Sequence, residues 1–196
     1  MLKRAFDIVC SLIGITLLLP FFIVIAFLII IDSRGGVFYR QVRVGKNNKD
    51  FFLLKFRTMQ TDADKQGLLT VGSRDSRVTR MGYHLRKYKL DELPQLFNVL
   101  LGSMSLVGPR PEVRKYVNVY TPQQKQVLSV KPGITDFASI EYANENELLA
   151  KATNPEQTYL TEIMPHKLLL NLKYIQQQSF ITDLKIILRT IAKIWS

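Results

Sequence analysis

The sequence predicts a mixed α/β fold, mostly helical with a small antiparallel sheet, held on a membrane by its N-terminal segment. Three observations lead there. The run Ile8–Ile31 carries no charged residue. Two short β-like runs, Val37–Tyr39 and Phe51–Leu54, bracket the turn Gly45-Lys46-Asn47-Asn48. Most of the remaining chain shows helix-spaced apolar residues punctuated by proline and glycine. With 196 residues, no internal repeat and no low-complexity linker, the chain divides into a membrane segment, 1–34, and one compact unit, 35–196.

The apolar run is longer than the core of a signal peptide, and Asp32-Ser33-Arg34 follows it without a small-residue cleavage pattern. Its length would let a helix span a bilayer. Pro20, however, sits at its midpoint, where it lacks a donor and clashes with the preceding turn, which predicts a kink or break. Lys3 and Arg4 precede the run, while Arg34, Arg40 and Arg43 follow it, so the positive-inside preference draws both ends to the cytoplasmic side. A re-entrant helix that bends at Pro20 satisfies both features; a spanning helix remains the alternative. Ser11 and Thr16 are the local groups able to serve backbone freed by such a break.

Further along, Gly35-Gly36 marks a turn and the polar stretch 61–77 a loop or short helix. Val78–Leu90 mixes apolar and basic residues at helical spacing. Pro94 opens a helix with Leu96, Phe97, Leu100 and Leu101 on one face, and Gly102 closes it. Gly108-Pro109-Arg110-Pro111 and Pro132-Gly133 read as rigid loops. Helices are predicted over Pro111–Tyr120, Pro122–Ser129, Glu145–Lys151 and Pro155–Gln178. In Asp183–Trp195, Leu184, Ile187, Leu188, Ile191 and Trp195 share a face flanked by Lys185, Arg189 and Lys193. That pattern describes a helix lying in a membrane interface, or an ordinary surface helix against a core.

The net charge is +11, and it is unevenly placed: Asp32–Gln60 holds seven Lys/Arg against two Asp, and Glu141–Glu162 five Glu against one Lys. Such a balance suits anionic lipid, nucleic acid or a phosphorylated small substrate. Nucleic acid is disfavoured, because neither a zinc-finger spacing nor an aromatic RNA-reading pattern is present. Gly45 and Gly72 form no ATP-type phosphate loop. His84 and His166 lack metal-ligand spacing, and Cys10, the one cysteine, reads as a small apolar residue.

The chemistry points to Asp91-Glu92. Arg80, Arg86, Lys87 and Lys89 precede the pair, and Pro94 starts a helix just beyond it. Cations and a helix N-terminus keep a carboxylate ionised and also hold phosphate. Phosphoryl transfer, with a carboxylate as nucleophile or metal ligand, fits this setting. So do a non-enzymatic membrane adaptor, which leaves the dyad unexplained, and a lipid phosphatase.

The ordered blocks Lys55-Phe56-Arg57-Thr58-Met59, Asp91-Glu92-Leu93-Pro94-Gln95, Gly108-Pro109-Arg110-Pro111 and Lys131-Pro132-Gly133-Ile134-Thr135 narrow the choice. From Lys3-Arg4 to Asp183-Leu184-Lys185 the chain resembles the bacterial sugar transferase family, the monotopic phosphoglycosyl transferases, in its minimal short form. The resemblance implies a re-entrant N-terminal helix at the bacterial inner membrane and a catalytic domain on the cytoplasmic face. It implies Asp91 as nucleophile on the β-phosphate of a UDP-sugar, release of UMP, and transfer of the phosphosugar to undecaprenyl phosphate. It implies Mg²⁺ bound at Asp91 and Glu92, and phosphate contacts from Lys55, Arg86 and Arg110. Read without it, Lys55 is a sheet-edge charge, Arg86 a headgroup contact and Arg110 a loop clamp; Arg57 is equally a phosphate ligand or a surface cation. The chain departs from the family pattern at Leu19, where many relatives have Ser, at 135–144, and at Asn171, where many are acidic. The later departures bear on substrate selection, and the sugar itself is left open.

Overall fold

The computed structural model describes residues 2–63 and 75–195, with side chains as far as Lys193. Gly72, most of the polar stretch 61–77 and the Trp195 side chain lie outside the described residues.

The apolar run forms one helix, α1, Leu2–Asp32, with Pro20 inside it. Proline leaves the carbonyl four residues earlier, that of Thr16, without its helical donor. The hydroxyls of Ser11 and Thr16 do not serve it; they donate to the carbonyls of Ile8 and Leu12.

Polar side chains fasten both ends of α1 to the rest of the protein. Near its start, Lys3 Nζ donates to the carbonyl of Val107 at 2.9 Å and to Asp183 at 2.5 Å. Arg4 donates to the carbonyls of Val99 and Leu100, which end helix α3 (Gln95–Leu101). The Val99 carbonyl also accepts from the Gly102 N–H; in this last turn carbonyls run short of helical donors, and a cation there suits the helix dipole. Asp7 accepts from Ser105 Oγ and the Leu106 backbone. At the far end, Asp32 accepts from the Met81 N–H in the first turn of α2 (Arg80–Lys87), satisfying a donor that the helix cannot. Between these ends, Phe22, Ile25 and Ile29 bury against Phe56 and Leu85. Phe22 meets Phe56 edge-on, with ring centroids 5.3 Å apart. The opposite side of α1 is a continuous exposed apolar surface that includes Leu17, Phe21, Ile23, Phe27 and Ile31.

The predicted antiparallel hairpin is present as β1 (Phe38–Val44) and β2 (Asp50–Phe56), with Val42 opposite Phe52 and Tyr39 opposite Lys55. A 3₁₀ turn at Lys46–Asn48 joins them. Beyond α3, β3 (Ser105–Val107) pairs in parallel with β4 (Gly133–Thr135). This second sheet differs from the all-antiparallel expectation, since Pro132-Gly133 reads locally as a loop. The pairing is a tertiary event: a Cβ on Gly133 would lie 2.1 Å from the backbone nitrogen of Gly108, so the two strands meet only because both positions are glycine.

The helices predicted over Pro111–Tyr120 and Pro122–Ser129 shrink to α4 (Arg114–Val117) and a 3₁₀ segment, Gln124–Ser129. An unpredicted α5 (Phe137–Glu141) precedes α6 (Glu145–Ala150). The long helix expected at Pro155–Gln178 is divided into α7 (Pro155–Thr158), a π turn at Tyr159–Ile163 and α8 (Met164–Gln176). Pro165, in the first turn of α8, cannot donate backward, which fits a widened turn just before it. The last helix, α9 (Phe180–Trp195), buries Asp183 and Ile186 and exposes Ile181, Leu184, Leu188 and Ile191.

A Cβ at Gly82 would fall 2.0 Å from the Thr58 carbonyl oxygen, because α2 packs directly on the strand-to-loop backbone there. Gly82→Ala is therefore expected to lower the melting temperature by roughly 3–10 °C. Gly36→Ala, whose Cβ meets nothing closer than 3.8 Å, should change it by less than about 1 °C. Thermal unfolding in detergent checks both.

Candidate active site

Asp91 and Glu92 occupy a single 3₁₀ turn, Leu90–Glu92, between α2 and α3. Lys89, at φ 56°, takes the left-handed conformation that turns the chain out of α2 and into it. Non-glycine residues pay for this backbone geometry, and sites that need an abrupt turn are where it is kept. The turn opens onto a cleft of about 640 Å³ whose lining includes Lys55, Arg86, Asp91, Glu92 and Arg110, together with Arg43 and Glu112.

The two carboxylates have different surroundings. Glu92 Oε1 accepts from Lys55 Nζ at 2.9 Å and from Arg110 Nη2, and its Oε2 accepts from Arg110 Nη1 at 3.0 Å. Burial alone would raise its pKa, but Arg110 and Lys55 outweigh that and hold Glu92 well below the usual carboxylate range. Asp91 is 7% exposed. Among the described residues its carboxylate makes no hydrogen bond or ion pair. Burial pushes its pKa up and the charge on Glu92 adds to the rise, against the opposing pull of Lys55 and Arg86. One member of the dyad is thus engaged and strongly acidic, and the other is a more basic carboxylate facing the cleft.

The supporting cations come from three directions. Lys55 stands on β2; burial lowers its pKa, and Glu92 opposes that. Arg86, from the last turn of α2, donates through Nε to Thr58 Oγ1 at 2.9 Å. Arg110 follows the Gly108–Gly133 contact. Its backbone N–H donates to Asp136 Oδ2 at 3.0 Å, and the fully buried Asp136 also caps α5 through the Ser139 N–H. Glu92 raises the pKa of Arg110, so the guanidinium stays charged.

Of the residues singled out from sequence, Lys55, Arg86, Asp91, Glu92 and Arg110 converge on the cleft. Arg57 does not join them. It donates to Ser33 Oγ, the Ser33 carbonyl and the Gly36 carbonyl, at 2.6–2.8 Å, and pins the junction between α1 and β1. Pro20 lies in α1, outside the cleft lining. Sequence reasoning missed Asp136, whose place just before Phe137-Ala138-Ser139 is an N-cap signal. It also missed Glu112, which is half-buried and accepts from Arg43, Tyr159 and the Val113 N–H.

The donor set fits a magnesium ion shared with a phosphorylated substrate. Such an ion takes one or two carboxylates, substrate phosphates and water. Asp91 offers a free carboxylate. Glu92 has three of its roughly four lone-pair sites occupied, which leaves one on Oε2. Among the described residues no group of three His, Cys, Asp or Glu side chains stands ready to hold a metal alone.

A long helix with an exposed apolar face suggests membrane association, and a cation-lined cleft centred on two carboxylates stands in the same body. Residues 1–196 match the family of bacterial sugar transferases, and the chain belongs to it. It is 43% identical over 142 residues to a UDP-N-acetylgalactosamine-undecaprenyl-phosphate N-acetylgalactosaminephosphotransferase of Aeromonas hydrophila, covering 71% of this chain and 34% of that protein. It is 38% identical over 198 residues to an undecaprenyl-phosphate glucose phosphotransferase of Komagataeibacter xylinus, covering 97% and 35%. It is 35% identical over 192 residues to a UDP-glucose:undecaprenyl-phosphate glucose-1-phosphate transferase of Caulobacter vibrioides, covering 96% and 68%. The chain spans about a third of the length of the first two relatives.

The split dyad predicts opposite stability effects. A carboxyl whose folded pKa is raised loses stabilisation as pH climbs through the window above its unfolded value of about 3.9. Asp91 is thus destabilising when ionised, and Asp91→Asn should raise the melting temperature at pH 7 by about 2–4 °C. Glu92, with its pKa depressed, stabilises fully above its unfolded value of about 4.3 and progressively less below it. Glu92→Gln should cost about 3 kcal/mol at pH 7, because Lys55 and Arg110 lose their counter-charge, and less at pH 4. Thermal melts of both variants at the two pH values check the signs.

Proposed function

We propose that this protein is a phosphoglycosyl transferase that moves a sugar 1-phosphate from a UDP-sugar to undecaprenyl phosphate and releases UMP. The observation that carries the reading is the division of the dyad: a free, more basic Asp91 carboxylate faces the cleft while Glu92 is tied to Lys55 and Arg110.

In the first step an Asp91 oxygen attacks the β-phosphorus. The bond from that phosphorus to the oxygen bridging it to UMP breaks, and UMP leaves with the electron pair. In the second step a phosphate oxygen of undecaprenyl phosphate attacks the same phosphorus. The Asp91–phosphorus bond breaks, restoring the carboxylate and giving undecaprenyl diphosphate sugar. Arg86 and Lys55, whose charges act on Asp91, lower the repulsion between a carboxylate and a pyrophosphate. Arg110, pre-positioned by Asp136 and Glu92, supplies fixed donors to phosphoryl oxygens. Mg²⁺, held by Asp91 and Glu92 Oε2 with the donor phosphates, would supply further charge neutralisation.

Residues 1–34 serve as the anchor and 35–196 as the catalytic domain, seated on the cytoplasmic face of the bacterial inner membrane. The re-entrant path of α1 is supported by its polar fastenings. Lys3, Arg4 and Asp7 at one end and Asp32 at the other bind the same body, so crossing a hydrocarbon core of about 30 Å would drag that body with it. The exposed apolar face of α9, flanked by Lys185 and Arg189, suits the interface beside it.

UMP release from a panel of UDP-sugars, with Mg²⁺ and undecaprenyl phosphate, tests the assignment. The wild type should release UMP from at least one donor in an acceptor-dependent manner, and Asp91→Asn should lower the rate by at least about 1,000-fold. Continued release beyond one equivalent per protein without the acceptor would favour a hydrolase. Equal rates for wild type and Asp91→Asn would remove Asp91 as nucleophile.

A further inference from the structure

The cleft is chemically divided. Around the dyad its lining is cationic, with Lys55, Arg86, Lys87, Lys89 and Arg110. Another part of the lining, drawn from α5, α6, the residues between them and the start of α8, includes Ser139, Tyr142, Asn144, Glu145, Asn146 and Lys167. These are hydroxyls, amides and one internally neutralised ion pair. Such a surface offers little to a phosphate and much to neutral hydroxyl groups.

The ion pair is the organised part of this wall. Lys167 Nζ donates to Glu145 Oε2 at 2.6 Å, with the side chains 12% and 24% exposed. The ammonium also sits over the Tyr159 ring, 5.4 Å from its centroid, which fixes it from behind. Tyr142 is held at the rim by its hydroxyl, 2.8 Å from His166 Nδ1. The wall adjoins the phosphate half: Arg110, whose pKa is raised chiefly by Glu92, also feels the charge of Glu145.

We propose that Glu145 and Lys167 form a subsite for a vicinal diol of the nucleotide-sugar donor. One hydroxyl donates to the Glu145 carboxylate while the neighbouring oxygen accepts from the Lys167 ammonium. A carboxylate beside an ammonium matches a diol in both donor and acceptor count, and it binds a neutral group without a net change of charge. Neither residue takes part in the dyad chemistry. The inference rests on the donor being a UDP-sugar, as proposed above. A UDP-sugar carries vicinal hydroxyls in two places, on the ribose and on the pyranose, and the same chemistry recognises either.

Calorimetric binding to the full chain in lipid nanodiscs tests it, using UMP, UDP-glucose, UDP-galactose and UDP-N-acetylglucosamine with wild type, Glu145→Gln, Lys167→Met and the double variant. Each single variant is expected to weaken binding about 10- to 100-fold. The double variant should be little worse than either single, because the pair acts as a unit. Thermal melts run alongside report whether each variant is folded. Weakened UMP binding assigns the diol to the ribose. Unchanged UMP binding with weakened UDP-sugars, and an altered ratio between UDP-glucose and UDP-galactose, assigns it to the transferred sugar. Unchanged affinity for every ligand in folded variants overturns the subsite. A wild type that binds no uridine nucleotide contradicts the donor reading itself, and the subsite falls with it.

Discussion

The site depends on Glu92 being held between Lys55 and Arg110. These groups come from β2, from the turn after α2 and from the loop after β3, so three separate parts of the chain meet at one carboxylate. Burying a charge costs several kcal/mol unless it is paired and hydrogen-bonded, and here the pairing is nearly complete. The same arrangement gives the dyad its asymmetry. With the two cations bonded to Glu92, Asp91 faces the cleft with its oxygens free of hydrogen bonds among the described residues. Burial together with the charge on Glu92 raises its pKa against the pull of Lys55 and Arg86. A carboxylate that is more basic than usual and desolvated is a better nucleophile than one saturated with hydrogen bonds.

Other parts of the fold serve that meeting point. The Gly108–Gly133 contact and the buried Asp136 fix the backbone from which Arg110 reaches Glu92. Lys3 Nζ donates to the carbonyl of Val107, immediately before that loop, and the Tyr174 hydroxyl oxygen lies 3.2 Å from the same carbonyl. Asp183 joins them, receiving Lys3 Nζ at 2.5 Å and the Tyr174 hydroxyl at 2.7 Å. The start of the apolar helix, the end of α8, the start of α9 and the strand leading to the Arg110 loop therefore share one polar knot. The apolar helices α1 and α9 and the cleft are parts of a single packed body, the arrangement that the proposed transfer between a lipid-borne phosphate and a nucleotide sugar requires.

Much of this was legible in the sequence where the signal is local. The apolar run, the hairpin around Gly45, the helix opened by Pro94 and closed by Gly102, and the dyad among cations all rest on composition and short spacing. What escaped detection is non-local. The β3–β4 pair joins residues 28 positions apart, Ser105 with Gly133, and neither three-residue strand has a periodic pattern of its own. Arg57 shares the basic character of Lys55 two residues earlier, but its partners, Ser33 and Gly36, belong to a chain segment brought alongside by folding. Asp136 carried an N-cap signal for α5, whereas its second bond, to the Arg110 backbone, appears only in three dimensions. Pro20 showed where the helix lacks a hydrogen bond. The carbonyl it exposes, that of Thr16, receives neither of the nearby hydroxyls.

The most direct test of Asp91 as the covalent centre is mass spectrometry of the protein incubated with a productive UDP-sugar and Mg²⁺ in the absence of undecaprenyl phosphate. The account predicts a mass increase equal to one phosphosugar, located on the peptide containing Asp91 and discharged when the lipid acceptor is added. An adduct on any other residue, or full transfer with no adduct under rapid-quench conditions, would contradict it.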